Sequence, residues 1–293
     1  MESVTANCPA SLSFIFKAFI PESMQVHKMN SEALLSFYRC YGSTGVGCTI
    51  DKKVRVKVST SLRKRLTFNG KNLRIPTVWR AVCQLTKNPL EINISSPLPL
   101  GCGFGISGAA TLATLAAVAR LFKLKISRQE LILIAHKAEI EEKTGLGTIA
   151  TQVTGGFLVK KKPGIPPRFR RLRLTGAKIY AVRLGKMITS EVLKNKNKIK
   201  RINYYADKAM TEINSLTNPT LGKIIDISFE FWRRSKIFNS PESERLIKII
   251  RKQNGSATMA IIGKVVLSNI KPVIPKKYNI EELIISEERM SGL

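Results

Sequence analysis

The sequence predicts an α+β fold, and two observations carry that expectation. Strand-like and helix-like stretches follow one another without a regular βα alternation. The apolar helical stretch that starts at residue 109 also runs into a second helix, where a doubly wound sheet needs a strand. Residues 54–58 read Val-Arg-Val-Lys-Val, an alternation that predicts a half-buried strand, and Ile92 and Ile94 repeat it. Residues 95–105, Ser-Ser-Pro-Leu-Pro-Leu-Gly-Cys-Gly-Phe-Gly, are rich in turn formers. Residues 109–122, dense in Ala and Leu, read as a buried helix. Ser127 and Glu130 form a capping box ahead of Leu131, Ile134, Ala135 and Ala138 at helical spacing. A helix is therefore expected from there to a glycine stop near Thr144-Gly145. Gly155-Gly156 opens a strand at 157–159. The Pro-Gly-Ile-Pro-Pro stretch at 163–167 punctuates the chain and predicts a domain boundary. Beyond it, a strand is expected at 179–184, helices over 189–253, and strands at 257–262 and 265–267. One of those helices starts clearly at Ser240-Pro241, a cap followed by proline in the first turn.

The 293 residues suffice for one large domain or two smaller ones, and 44% hydrophobic content is that of an ordinary globular chain. No apolar run approaches the ~18 residues of a membrane span, and no basic stretch leads into a signal-type segment. The five cysteines (Cys8, Cys40, Cys48, Cys83, Cys102) are scattered, no CxxC pair exists, and the only histidines are His27 and His136. Neither a disulfide framework nor a structural zinc site is expected, and the compartment reads as reducing cytoplasm. Each histidine reads as structural or exposed rather than catalytic, and no Ser/His/Asp or Cys/His set stands out.

Charge is the outlying property: 49 Lys and Arg against 20 Asp and Glu give +29. From Lys160 to Arg201 there are 15 basic residues and one acid, Glu191. Such a field attracts polyanions, so nucleic acid and anionic metabolites both enter consideration. The basic residues are not interleaved with aromatics as a stacking platform requires, so a solvated basic surface is the plainer reading.

Gly101, Gly103, Gly105 and Gly108 cluster between an expected strand and an expected helix. Glycine tolerates positive φ and has no Cβ to block a ligand, and a helix N-terminus adds unpaired amides and a favourable dipole for an anion. A tight strand-to-helix turn would use fewer glycines. A Walker loop needs lysine and a hydroxyl residue after its last glycine, but Ala109-Ala110 follow Gly108. Residues 103–108 formally match GxGxxG. The dinucleotide fold then needs a second strand ending in an acid, and here Glu130 belongs to the next helix's capping box.

The run Pro99-Leu100-Gly101-Cys102-Gly103-Phe104-Gly105-Ile106-Ser107-Gly108-Ala109-Ala110 resembles the P-x-x-x-G-L-G-S-S-A phosphate loop of the GHMP kinases, with Pro99, Gly103, Gly105, Ser107 and Ala109 at matching positions. Its wording is similar to the variant of the archaeal pantoate kinases. Ala135-His136-Lys137-Ala138-Glu139, running into Thr144-Gly145-Leu146-Gly147 and Gln152, resembles their second block, and Gly42-Ser43-Thr44-Gly45-Val46-Gly47 their N-terminal glycine block. Gly164-Ile165-Pro166-Pro167 sits where they have a similar turn. The likeness is strongest over about 90–170 and thin afterwards, where Ser256 to Gly263 stands for the third motif.

The resemblance implies a two-domain GHMP kinase fold, with a ribosomal protein S5 domain 2-like N-terminal part at 1–165 and a ferredoxin-like C-terminal part at 166–293. It implies an ATP-dependent phosphotransferase acting on an alcohol, pantoate first among the candidates. Other acceptors of this superfamily (homoserine, shikimate, a mevalonate derivative) are the alternative, as is a nucleotide- or nucleic-acid-binding homologue that has lost catalysis. Pro99, Gly101, Gly103, Phe104, Gly105, Ile106, Ser107, Gly108 and Ala109 would cradle the nucleotide. Ser107 and Glu139 would hold magnesium, with Glu142 as a rival carboxylate, because the helical wheel puts Glu139 at the rim of the apolar stripe and Glu142 within it. Ser107 as an N-terminal helix cap and Glu139 as a solvated helix edge are the structural alternatives. Ser13, Ser43, Thr44 and Gly45 would face the acceptor. A homodimer is a further expectation of this reading, no membrane partner is expected, and nucleic acid enters only through the basic charge.

The chain also departs from the pattern. Thr148 stands where these kinases have aspartate after Gly-Leu-Gly, and threonine is no base at neutral pH. Pro9-Ala10-Ser11-Leu12-Ser13-Phe14 replaces a Pro-x-His-Ile-Thr-Gly stretch, and Thr44 replaces a frequent arginine.

Overall fold

The computed structural model describes residues 2–20, 31–187, 189–237, 240–261 and 263–290. His27 and Ile262, the last residue of one expected strand, lie outside the described residues. Strands β1 (Ser3–Phe19) and β2 (Gly42–Thr60), separated in sequence by α1 (Ser31–Cys40), form a long antiparallel ribbon from Ser3 opposite Ser59 to Phe19 opposite Gly42. The register shifts between Pro9 and Ser11 and again between Ser13 and Ile15. Proline has no amide for the ladder, so a bulge at that point accommodates it. In the second half of β2, Val54, Val56 and Val58 are buried while Arg55 and Lys57 face out, as the alternation predicts. Residues 42–50 of the same strand are buried on both faces.

Next come β3 (Arg65–Phe68), β4 (Lys71–Asn72), α2 (Pro76–Val82) and β5 (Leu90–Ser95). Helix α3 (Ile106–Leu121) follows the glycine-rich stretch; it is apolar all round, and its small side chains let it pack closely on β1 and β2. Helix α4 (Arg128–Glu141) starts at the Ser127–Glu130 capping box. It stops at Glu142 and turns through Lys143 at φ 53°, slightly ahead of the expected glycine stop. A short α5 (Thr148–Thr154) leads to β6 (Phe157–Lys160), β7 (Phe169–Leu172) and β8 (Lys178–Gly185). Helices α6 (Thr189–Leu193), α7 (Lys196–Ser215), α8 (Leu221–Ser235) and α9 (Pro241–Lys252) fill the expected helical region. Strands β9 (Ala257–Met259), β10 (Lys264–Ser268) and β11 (Ile280–Ser286) complete the chain.

The strands run in the order β4-β3-β5-β2-β11-β8-β10-β9, with β1 and β6 also paired to β2, and β7 to β6. Strand β11 links β2 to β8: Ile285 and Ser286 pair with Ile50 and Thr49 of β2, and residues 280–284 pair with β8. The fold is α+β, as expected. Neither β1 nor β11 stands out in the sequence, because Pro9 and mixed polar residues break the alternation in one and Glu281-Glu282 in the other. Among the described residues no helix is long and apolar enough to cross a membrane.

Candidate active site

The glycine-rich stretch ends at the N-terminus of α3. Gly105 is its cap residue, in the left-handed region at φ 66°, and a Cβ there would strike the Ser11 hydroxyl. Gly103, at φ 102°, lies so close to Gly263 that a Cβ would come within 2.8 Å of that residue's Cα. These two positions need glycine, for conformation and for close approach. The Ser11 amide donates to the Phe104 carbonyl at 3.0 Å, and Gln152 Nε2 donates to the Gly105 carbonyl at 2.8 Å, tying the loop to β1 and α5. The first amides of α3 have no intrahelical acceptors and are left to serve an anion. Ser107 is the second residue of α3 rather than its cap, so the capping alternative does not apply.

A cavity of about 130 Å³ opens beside this loop. Gly101, Gly103, Phe104, Gly105, Ile106 and Ser107 line one side, Ser13, Ser43, Thr44 and Gly45 another, and Thr148 and Lys160 close it. Most of the expected site residues thus meet around one space. Pro99, Gly108 and Ala109 do not line it; Gly108 packs on Gln152 and Thr148 from inside α3. Next to the cavity lies an open groove of about 980 Å³, lined in part by Arg63, Arg65, Arg74, Pro76 and Trp79. The start of α2 lies between the two spaces. Pro76 lines the groove, while the Ser107 hydroxyl donates to that of Thr77 at 3.4 Å and Thr77 pairs with Thr144 at 3.0 Å.

Glu139 stands just behind the cavity wall. It is 2% exposed, so the solvated-edge alternative is corrected. Its carboxylate accepts from the Thr148 hydroxyl and from the amides of Thr148 and Ile149 at the start of α5, while Oε2 has no hydrogen-bond partner among the described residues. Burial outweighs those bonds and the Lys160 charge, and pushes its carboxyl up to about 7. Glu142, the rival from the helical wheel, is corrected too: it faces the groove and pairs with Arg80 at 2.8 Å. It caps α4 rather than continuing its apolar stripe, so the wheel does not apply to it.

Lys160 was not legible as a site residue. It ends β6, is 8% exposed, and its Nζ has no hydrogen-bond partner among the described residues. Burial pushes its amine down to about 8, against the pull of Glu139. A Cβ on Gly147 would lie 2.6 Å from that Nζ, so the glycine leaves room for it. In the sequence Lys160 is one cation among fifteen. His136 is buried, with Nε2 2.8 Å from the Tyr41 carbonyl, and does not line the cavity.

A small cavity of hydroxyls and one buried cation, beside a glycine-lined helix N-terminus, is a place to hold an anion against a small polar molecule. Residues 75–156 match the GHMP kinases N terminal domain. The fold agrees: a solved structure described as a phosphotransferase related to the CoA biosynthesis pathway superposes with a TM-score of 0.78 at 20% identity, over 99% of this chain and 98% of that one. The matched segment and the fold make the chain similar to the GHMP kinase superfamily. Within it, the chain is similar to the pantoate kinase of Methanocaldococcus jannaschii, at 29% identity over 83% of this chain and 87% of that protein. The pantoate kinase of Methanospirillum hungatei is 27% identical over 89% of this chain and 85% of its own length.

Proposed function

We propose that this chain transfers the γ-phosphoryl group of ATP to the hydroxyl of pantoate, giving 4-phosphopantoate and ADP, a step toward coenzyme A. The observation that carries this reading is the buried, unpartnered Lys160 ammonium in a hydroxyl-lined cavity that the phosphate loop also lines. An acceptor carrying a carboxylate gives that amine a charged hydrogen-bond partner, as pantoate does, and an uncharged alcohol leaves it with only the pull of the Glu139 carboxyl nearby. The likeness to pantoate kinases over more than four-fifths of the chain supports the same acceptor. The small cavity suits the acceptor, and the larger groove beside Pro76 and Trp79 suits the nucleoside.

In this reading the amides from Gly103 to Ser107 hold the terminal phosphates, and Ser13, Ser43 and Thr44 hold the acceptor's polar groups. Thr148 commits its single proton to Glu139, which leaves its oxygen lone pairs to accept from the acceptor's hydroxyl and orient it. Phosphoryl transfer through a loose transition state depends on positioning and charge neutralisation more than on a strong base, so threonine can serve where aspartate is absent. Magnesium fits the residues present. The orphaned Oε2 of Glu139 and the Ser107 hydroxyl are hard oxygen donors, and magnesium takes few protein ligands beside phosphates and water. When bound, it neutralises phosphate charge. ADP release on adding pantoate, with and without magnesium, tests the assignment. Release with homoserine, shikimate or mevalonate but not pantoate would replace the acceptor. A second reading, a non-catalytic nucleotide or nucleic-acid binder, draws on the +29 charge and on Thr148. Its test is salt-sensitive RNA binding without ADP release from any acceptor.

A further inference from the structure

The outer side of the phosphate loop faces cations from the far end of the chain. The Met187 amide, just past β8, donates to the Gly101 carbonyl at 2.9 Å. The side-chain stem of Lys186 runs along Gly101, its Cβ, Cγ and Cδ lying 3.8–3.9 Å from where a Cβ on that glycine would sit. Gly101 itself lines the cavity. Two further cations stand close by. Lys264 pairs with Gly185 in the β10–β8 ladder and lays its Cδ 3.7 Å from that glycine's Cβ position. Arg183 lies two residues earlier on β8, and the Cys102 thiol in the loop feels the positive charge of both Arg183 and Lys186.

Among the described residues no ion pair is formed by Arg183, Lys186 or Lys264, and the sequence has no acid between Glu142 and Glu191. Like charges gathered at one place repel one another, and an anionic ligand offsets that repulsion. The Gly103–Gly263 contact fixes the β9–β10 turn against the loop and holds Lys264 near it by packing, while the Met187–Gly101 hydrogen bond does the same for Lys186.

We propose that Lys186 neutralises the terminal phosphates of the bound nucleoside triphosphate, so that the C-terminal half of the chain supplies a charge to the phosphoryl site. This rests on the kinase reading for the nucleotide but not for the acceptor. The Lys186 side chain is exposed and its long stem runs along Gly101, so its ammonium is free to swing over phosphates that the loop amides hold. Its position relative to Gly101 rather than to Ser43 or Lys160 sets its ligand apart from the acceptor's carboxylate.

The test compares wild type with Lys186→Met and Lys186→Arg. Affinity is measured calorimetrically for a non-hydrolysable ATP analogue and for AMP, and KM is measured for ATP and for pantoate. Lys186→Met is expected to weaken the analogue about tenfold or more, as loss of a charge-assisted contact does, with AMP affinity, pantoate KM and thermal midpoint unchanged. Lys186→Arg should restore binding to within a few-fold. An unchanged analogue affinity in Lys186→Met overturns the proposal, and so does a rise in pantoate KM alone. Lysine-dependent analogue binding in a chain that releases no ADP with pantoate supports the proposal while removing the acceptor assignment. A wild-type chain that does not bind the analogue overturns both.

Discussion

Thr148 donates its hydroxyl proton to the Glu139 carboxylate, so the residue standing in place of an aspartate is itself held by a buried acid one helix away. This pairing engages the hydroxyl of a residue that lines the cavity. Thr148→Val keeps the shape and removes the hydroxyl. It should lower kcat about tenfold with little change in the KM for ATP. Losing a donor to a buried carboxylate should also cost roughly 1–3 kcal/mol of stability, while Thr148→Ser keeps both properties. Steady-state kinetics beside chemical denaturation check this; a Val variant with full turnover would remove the orienting role.

In the proposed reaction Lys160 is the residue on which acceptor choice turns. Lys160→Met should raise the KM for pantoate about tenfold or more and leave ATP binding intact. An uncharged alcohol tested beside pantoate should lose no more than a few-fold. Equal losses for both acceptors would mean that the amine serves the fold instead.

Glu139 and His136 should pull stability in opposite directions with pH. Burial raises the Glu139 carboxyl from 4.5 to about 7 and lowers the His136 imidazole from 6.5 to about 4. Between about pH 4.5 and 7 the folded chain keeps a proton on Glu139 that the unfolded chain has released, so this group's contribution falls as pH rises. Between about pH 4 and 6.5 the unfolded chain binds a proton on His136 that the folded chain refuses, so that contribution rises with pH. Relative to wild type, the Tm of Glu139→Gln should therefore climb across pH 4.5–7, and that of His136→Asn should fall across pH 4–6.5. Calorimetry at several pH values decides the matter, and two slopes of the same sign would contradict it.

Gly103→Ala tests the seam between the phosphate loop and the β9–β10 turn. An added methyl meets Gly263 in a backbone conformation that L-residues rarely adopt. The expected cost is about 1–3 kcal/mol in stability, together with loss of detectable binding of the ATP analogue. Retention of binding at wild-type affinity would place the triphosphate elsewhere.

Local chemistry in the sequence determined the alternating half of β2, the capping box at Ser127 and Glu130, and the glycine cluster that ends at α3. Each depends on neighbours within a few residues, so spacing alone exposes it. The hydroxyl and glycine positions of the site were legible for the same reason, because they sit within short motifs. Tertiary structure decided which charged groups became buried. Glu139 and Glu142 lie three residues apart, yet packing against α5 buries one and Arg80 draws the other into a solvent-facing groove. Lys160 sits among many lysines in the chain, and only the pairing of β6 with β2 carries it to the cavity. Lys186 meets Gly101 across 85 residues of sequence just past the end of β8, beside the backbone hydrogen bond from Met187 to the Gly101 carbonyl. A charge's environment is set by whatever the fold stacks against it, and nothing in the residues beside it in the chain records that.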